Sequence, residues 1–388
     1  MLDELAGRGL GTVKFHHGID FSLERKCGSL QKLSPLFFLR WEDYWKLCQE
    51  KMALGKRASE VSEAISNWVE FADLSVVAQR IIRDGLRRVI RKEWLVRLAE
   101  FLAWKRVLED LPIKGVLLTE DFLPSERALT LTAKDGGIPT WIVQHGLAIH
   151  PDGRGFIPVL ADKIFCFGES AVSFFAEFGL PRTRMEITGR PLYDRWVPAK
   201  QEGFKKCLSK SFLFLGQPLY KENLCSYQSY ISTIEMAAAL GREKGIKVRL
   251  RPHPREAASA HEAIAGKYEG VEVVPRRESI IESLRTADTV ATCFSTGGLE
   301  ALLMGKHLIC LNPGKVPEAE LFAKNLGALI CRNKSDLILA MRSVAESSET
   351  SEADLRKQRD KILRDNLCLL DGMATRRIAD HILKDLPN

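Results

Sequence analysis

The chain is 388 residues long, 45% apolar and 28% charged, enough to bury a sizeable core and to build two domains. That balance excludes a disordered tail and a small stapled module, and charged residues interrupt every apolar run well short of the roughly 20 residues a spanning helix needs. The formal charge of +7, from 57 basic against 50 acidic residues, suits an anionic ligand or membrane surface but is too small an excess to imply nucleic acid. No basic segment followed by an apolar one opens the chain, which carries the expectation of a cytoplasmic protein. Cys27, Cys48, Cys166, Cys207, Cys225, Cys293, Cys310, Cys331 and Cys368 are odd in number, scattered and without a CxxC pair, so they read as reduced thiols rather than a disulfide framework or a zinc cluster.

Residues 1–110 read as mostly helical. Between Val76 and Val107 the apolar residues Ile82, Leu86, Val89, Ile90, Leu95, Leu98 and Leu102 recur at helical spacing, with Arg83, Arg87, Arg88, Arg91 and Lys92 on the other face. The first expectation is a core-facing helix with a solvated basic side; the competing one is a basic face against anionic lipid headgroups at the inner face of the membrane. From Lys114 short apolar strands alternate with helix-length segments: Gly115–Leu118, Thr140–Val143, Lys163–Phe167 and Met185–Thr188. The polar, Lys-rich stretch Val197–Ser211 is the expected linker. A second alternating series follows, with strands at Phe212–Leu215, Lys247–Leu250, Val271–Val274, Asp288–Thr292 and His307–Leu311 and helices near Ser229–Gly241 and Thr296–Gly305. Ser347–Glu352 reads as an exposed turn and Ala374–Leu383 as a terminal helix. The expected architecture is therefore α/β, two doubly wound domains over 1–198 and 208–388 with a ligand cleft between them, since the carboxyl ends of such strands converge on a crevice.

Several motifs fall at these carboxyl ends. Arg251-Pro252-His253-Pro254 ends a strand with a histidine held between two prolines, placed to donate to a phosphate. Ser295-Thr296-Gly297-Gly298 joins a strand to a helix, so hydroxyls and backbone N–H groups meet at a helix start. Glu300, one turn on, reads as an acceptor for ribose hydroxyls or as a dipole-favoured glutamate. Gly216-Gln217 follows the first strand of the second series, where glycine permits close approach to a ligand. In the first domain, Gln144-His145-Gly146 leaves a strand into a polar loop, and Glu120 and Asp121 follow another; His145, Glu120 and Asp121 are the candidate acid/base residues, although His145 could instead donate to a phosphate and a helix cap explains Asp121 equally well. Arg190 is placed to pair with a substrate carboxylate or phosphate, or to serve a tight turn.

Taken in order, Gln144-His145-Gly146, Gly189-Arg190-Pro191 with Asp194, Arg251-Pro-His253-Pro254, Ser295-Thr296 with Glu300-Ala301, and Asp371-Gly372 with Ala374 and Arg377 resemble the GT-B glycosyltransferases of bacterial surface polysaccharides, over roughly Lys114 to Leu383. The His-Pro element with its downstream Ser/Thr pair is similar to the CMP-binding half of sialyl- and Kdo-transferases, and to CDP-glycerol glycerophosphotransferases. The resemblance implies a GT-B fold of two Rossmann-like domains, a CMP-linked acidic sugar as donor, and a cell-surface glycan or glycolipid as acceptor. It further implies donor phosphate on His253, Ser295 and Thr296, and an acidic base at Glu120 or Asp121. Phe122 stands where sialyltransferases place a glycine after that acidic pair. No Asp-x-Asp pair adjoins the phosphate-binding residues, so neither metal nor cofactor is expected. UDP-sugar transferases and UDP-N-acetylglucosamine 2-epimerases share the plan and remain the alternative enzymes; a non-catalytic scaffold is the alternative of another class.

Overall fold

The structure is a computed structural model that describes residues 2–8, 14–15, 32–196, 211–243, 245–346 and 349–386. The chain divides into two compact units: Met1–Val143 with Pro158–Ile164 and Arg376–Asn388, and Gln144–Ile157 with Phe165–Thr375. Of the expected linker Val197–Ser211, residues 197–210 and with them both expected domain limits lie outside the described residues, while Ser211 already opens a strand.

In the first unit, a short helix α1 (Leu2–Gly7) and a parallel pair of two-residue strands, β1 (Lys14–Phe15) and β2 (Lys32–Leu33), precede a helical hairpin. The hairpin consists of α2 (Trp41–Ser66), α3 (Val69–Ala72) and α4 (Val76–Asp110). Asp43 starts α2 by accepting the Arg40 N–H (2.9 Å) and is buried against Arg106 of α4, whose Nε and Nη2 each lie 2.9 Å from its carboxylate. Beyond the hairpin, β3 (Val116–Leu118) pairs in parallel with β4 (Thr140–Val143), and α5 (Pro124–Asp135) connects them. Trp104 and Val107 of α4, Val116, and Leu129 and Ala133 of α5 form their shared core. Trp141 is buried and its indole Nε1 donates to Asp385 (3.0 Å), which also pairs with Lys163 (2.7 Å).

Helix α4 corrects one expectation. Leu102 and Ile90 are buried as the spacing predicts, but Ile82 and Val89 are exposed, and Ile90 is the one buried residue from Val76 to Lys92. The apolar stripe faces a core only in the half of the helix that lies over α5 and β3.

The second unit carries the carboxyl end of β5 (Lys163–Cys166), then α6 (Glu169–Glu177) and β6 (Met185–Ile187). Its main sheet is built from β7 (Ser211–Leu215), α7 (Tyr227–Ala238), β8 (Lys247–Arg251), α8 (Ser259–Ala265), β9 (Val271–Val273), α9 (Ile280–Arg285) and β10 (Thr289–Thr292). It continues with α10 (Gly297–Leu303), β11 (His307–Leu311), α11 (Pro317–Leu326), β12 (Leu329–Cys331), α12 (Lys334–Ala345) and α13 (Glu349–Leu367). A last helix, α14 (Ala374–Asp385), begins at the end of this unit and belongs from Arg376 on to the first. The six strands run parallel in the order β12-β11-β10-β7-β8-β9. Alternation divides their side chains between two layers, as a parallel sheet covered on both faces requires. Leu213 and Leu215 pack with Leu299 of α10, Phe322 of α11 and Leu363 of α13, while Phe212 and Phe214 pack with Ile234 of α7, Ile264 of α8 and Met341 of α12. The predicted turn at Ser347–Glu352 is helical from Glu349, with 347–348 outside the described residues.

Among the described residues the Cys166, Cys293, Cys310 and Cys331 side chains are buried, as expected, whereas Cys48 is exposed. No helix of the described residues is long and apolar enough to cross a membrane.

Candidate functional site

Strand order decides where the second unit can hold a ligand. From β7 the chain steps outward through β8 to β9, then returns to the other side of β7 to lay down β10, β11 and β12. The direction reverses between β7 and β10, and a crevice opens at such a switch point outside the carboxyl ends of the strands. Register makes those ends flush: Thr292 of β10 lies beside Leu215 of β7, and Leu215 beside Arg251 of β8. The loops carrying Gly216-Gln217, His253-Pro254 and Ser295-Thr296 therefore leave three adjacent strands at one level. Sequence order predicted each loop at an edge; the strand order brings the three together.

Each loop is held by its own bonds. The Gln217 amide oxygen accepts the Phe294 N–H (2.7 Å) and the Thr292 hydroxyl (3.3 Å), tying the loops on either side of the switch. Gly216 donates its N–H to the Arg251 carbonyl (2.8 Å), and a Cβ there would lie 2.6 Å from Glu256 Oε2, so glycine is needed for packing as well as for access. Gly298 is fixed likewise, since a Cβ would meet Phe322 at 2.5 Å. Ser295 Oγ accepts the Gly297 N–H (3.2 Å), and Thr296 opens α10 without capping it through its side chain. A Cβ on Gly146 would sit 3.7 Å from Thr296 Oγ1, which puts the turn after Gln144 beside the start of α10. His145 is exposed there and stacks on Phe156 with ring centroids 4.7 Å apart. Buried Gln144 holds the turn, accepting the Phe167 N–H (2.7 Å) and donating to the Gly146 carbonyl (2.8 Å).

His253 is half-buried between Pro252 and Pro254. Its backbone N–H donates to Glu256 Oε2 (2.6 Å) and its Nδ1 accepts the Arg255 N–H (3.1 Å). A ring whose Nδ1 accepts carries its proton on Nε2, and burial lowers the pKa from the ordinary 6.5, so at neutral pH this is a neutral Nε2–H donor.

Other predicted ligands are engaged by protein groups. Arg251 donates to the Ser283 hydroxyl (2.8 Å) and the Glu278 carbonyl (2.9 Å), and burial lowers its pKa. Arg190 and Glu300, read separately from sequence as ligands for a phosphate or carboxylate and for ribose, form an ion pair with each other at 3.2 Å. The Arg190 guanidinium also donates to the Tyr193 hydroxyl and lies over the rings of Phe167 and Tyr193. Burial raises the Glu300 pKa and the neighbouring Arg190 opposes that shift. Asp194, part of the same motif, accepts the N–H groups of Ala374 (2.9 Å) and Thr375 (2.8 Å) and so caps α14. In the first unit Asp121 is buried, and one of its oxygens accepts both the Leu160 N–H (2.6 Å) and the Ala161 N–H (2.9 Å); its neighbour Glu120 is half-buried. That is a loop clamp.

Sequence reasoning missed Glu256 and His261. Both are buried beneath Gly216, where the absent Cβ would also meet His261 Nε2 at 3.1 Å. Burial raises the Glu256 pKa and lowers that of His261 to about 4. The spacing His-Pro-x-Glu, which lets a carboxylate three residues on cap the histidine's own N–H, is the signal that could have found Glu256. A concavity of 770 Å³ also opens on this unit, lined by Pro151, Lys315, Pro317, Glu320, Leu321 and Arg332, none of them predicted; Arg332 there is held by Glu320 at 2.8 Å. Among the described residues no group of three or more His, Cys, Asp or Glu side chains is placed to hold a metal ion.

No protein-family model and no curated protein matches this chain. Solved structures do match in fold. The UDP-GlcNAc 2-epimerase of Neisseria meningitidis bound to UDP-GlcNAc aligns with a TM-score of 0.54 at 16% identity, over 75% of this chain and 82% of its own. The UDP-GlcNAc 2-epimerase of Methanocaldococcus jannaschii in complex with UDP-GlcNAc and UDP gives 0.51 at 14% identity, over 76% and 82%. A variant of the wall teichoic acid polymerase TagF gives 0.50 at 11% identity, over 80% and 98%. The fold is the two-domain, Rossmann-like GT-B arrangement that the sequence motifs led us to expect.

Proposed function

We propose that this chain is a nucleotide-sugar enzyme whose second unit holds the nucleotide phosphates, and that its ligand is a UDP-linked N-acetylhexosamine that it epimerises. The observation that carries the binding site is the flush alignment of Gly216-Gln217, His253 and Ser295-Thr296 on β7, β8 and β10 at the switch point. A neutral Nε2–H donor, two hydroxyls and closely approachable backbone at one sheet edge suit a phosphate chain. The choice of UDP over CMP is supported by the solved 2-epimerases of this fold, which were captured with UDP-GlcNAc or UDP. Transfer of a CMP-linked acidic sugar to a glycan is the competing reading. His145 beside α10 and Glu120 are kept as the proposed acid/base residues, each to be tested singly as His145→Asn and Glu120→Gln.

A thermal-shift panel of UDP, UDP-GlcNAc, CMP and CDP tests the ligand. A ligand at about one hundred times its dissociation constant stabilises by roughly 2.7 kcal/mol, and we expect that response for UDP and UDP-GlcNAc. Incubation with UDP-GlcNAc and no acceptor should then yield an epimer of unchanged mass. Selective stabilisation by CMP would overturn the UDP assignment in favour of the transferase, and UDP binding with no turnover would favour a scaffold.

A further inference from the structure

The hairpin of the first unit has a half whose second arm buries little of its apolar surface. Helix α4 is 35 residues, about 50 Å, long. Its second half is anchored through Leu102, Ala103, Trp104 and Val107, whereas its first half, Val76 to Lys92, buries Ile90 alone. That half is nevertheless apolar in pattern: Val76, Val77, Ile81 and Val89 are 78, 69, 66 and 55% exposed, and Trp68, at the turn out of α2, is 62% exposed. Arg83 lies over the Phe71 ring at 5.7 Å. Isolated exposed aliphatics need no explanation, whereas several on one helical half that contributes a single buried residue do. Between them stand Arg80, Arg83, Arg87, Arg88, Arg91 and Lys92, six cations against the single acid Asp84. Asp84 lies at 3.9 Å from both Arg80 and Arg87, too far for a tight pair.

We propose that the distal half of this hairpin, Trp68 and Val76 to Lys92, docks on an anionic lipid bilayer. Aliphatic side chains at an interface enter the boundary between headgroups and acyl chains while flanking arginines bind lipid phosphates, and a tryptophan sits at headgroup level. Charge chooses among occupants. A second copy of this chain would bring a second set of six cations against the first, whereas an anionic leaflet neutralises them and accepts the apolar residues together. The site lies wholly in the first unit and does not depend on the proposed nucleotide chemistry.

The test uses the full chain and flotation with phosphatidylcholine vesicles prepared with and without phosphatidylglycerol. Binding should require phosphatidylglycerol and be lost at about 0.5 M salt. With each near-surface arginine contributing about fivefold, Arg87→Gln with Arg88→Gln should weaken partitioning about thirtyfold. Ile81→Asp should weaken it through the apolar side. All three side chains are exposed, so circular dichroism should show unchanged melting, and Arg88→Gln alone provides a milder variant. Failure to float, equal flotation on neutral vesicles, or indifference to both variants overturns the proposal. A dimer in sedimentation velocity that Ile81→Asp dissociates would do so too, assigning the surface to a second copy.

Discussion

His253 is oriented from within its own loop: its N–H is bound by Glu256 and its Nδ1 by the Arg255 N–H, which leaves Nε2 as the donor. His253→Ala should therefore weaken UDP binding by about 1.5–3 kcal/mol, the range for a hydrogen bond to a charged group, or roughly ten- to hundredfold in Kd by calorimetry. An unchanged Kd would remove His253 from the phosphate site. Beneath it, His261 carries a pH signature. Its ring is fully buried, with no hydrogen-bond partner for either nitrogen among the described residues, and its pKa is lowered from 6.5 to about 4. Below pH 6.5 the unfolded chain takes up a proton that the folded chain refuses, so stability should fall as pH drops from 6.5 toward 4, by about 3 kcal/mol in all. Glu256, with its pKa raised, acts in the opposite sense above pH 4.5, so the two must be separated by mutation. Urea midpoints at pH 7 and pH 4.5 should differ less in His261→Phe than in the parent; an identical difference would show that His261 does not carry the acid sensitivity.

At the scale of elements, the helices that matter are pinned by single carboxylates. Asp385, at the end of α14, serves both the buried Trp141 indole and Lys163. Asp385→Ala leaves that indole N–H without its acceptor, a loss expected to cost about 1–3 kcal/mol in chemical denaturation. Asp43 plays the same part in the hairpin, with its carboxyl held below the usual carboxylate range chiefly by Arg106. Because its folded pKa is depressed, its contribution is present above pH 3.8 and is lost as pH falls through the lower folded value. Asp43→Asn should blunt acid unfolding of the hairpin, followed by hydrogen exchange of α2, and an unaltered profile would assign acid sensitivity elsewhere. The same elements engage two carboxylates of the sequence motifs: Asp194 caps α14 and Asp121, read as a candidate acid/base residue, clamps the loop at Leu160.

For the molecule as a whole, the proposed nucleotide site and the proposed lipid surface belong to different units, each with its own core. Two ligands that touch separate cores should leave separate footprints. In hydrogen exchange, UDP should protect the loops at 216–219, 252–256 and 293–298 and leave 76–92 unchanged, while phosphatidylglycerol vesicles should do the reverse. Protection of both regions by either ligand would mean that the sites are coupled rather than independent.

The sequence by itself determined most of the strands, their parallel setting and the positions of the edge loops, but not β2 or β12, the latter at Leu329–Cys331 in a stretch that reads as helical. Thr140–Val143 and His307–Leu311 are strands at the predicted residues, because short apolar runs closed by glycine, proline or polar residues carry their own boundaries. It also determined which residues stand at carboxyl edges. Tertiary structure decided the strand order that makes β7, β8 and β10 neighbours, and with it which edge loops meet. It decided that Arg190 finds Glu300 110 residues away, and that Glu256 and His261 lie under Gly216. It also decided that the apolar stripe of α4 meets a core along only half its length. The division has one physical cause: periodicity and turn chemistry are local properties of the chain, whereas burial and the partner of a charged side chain depend on what packs against it from distant positions.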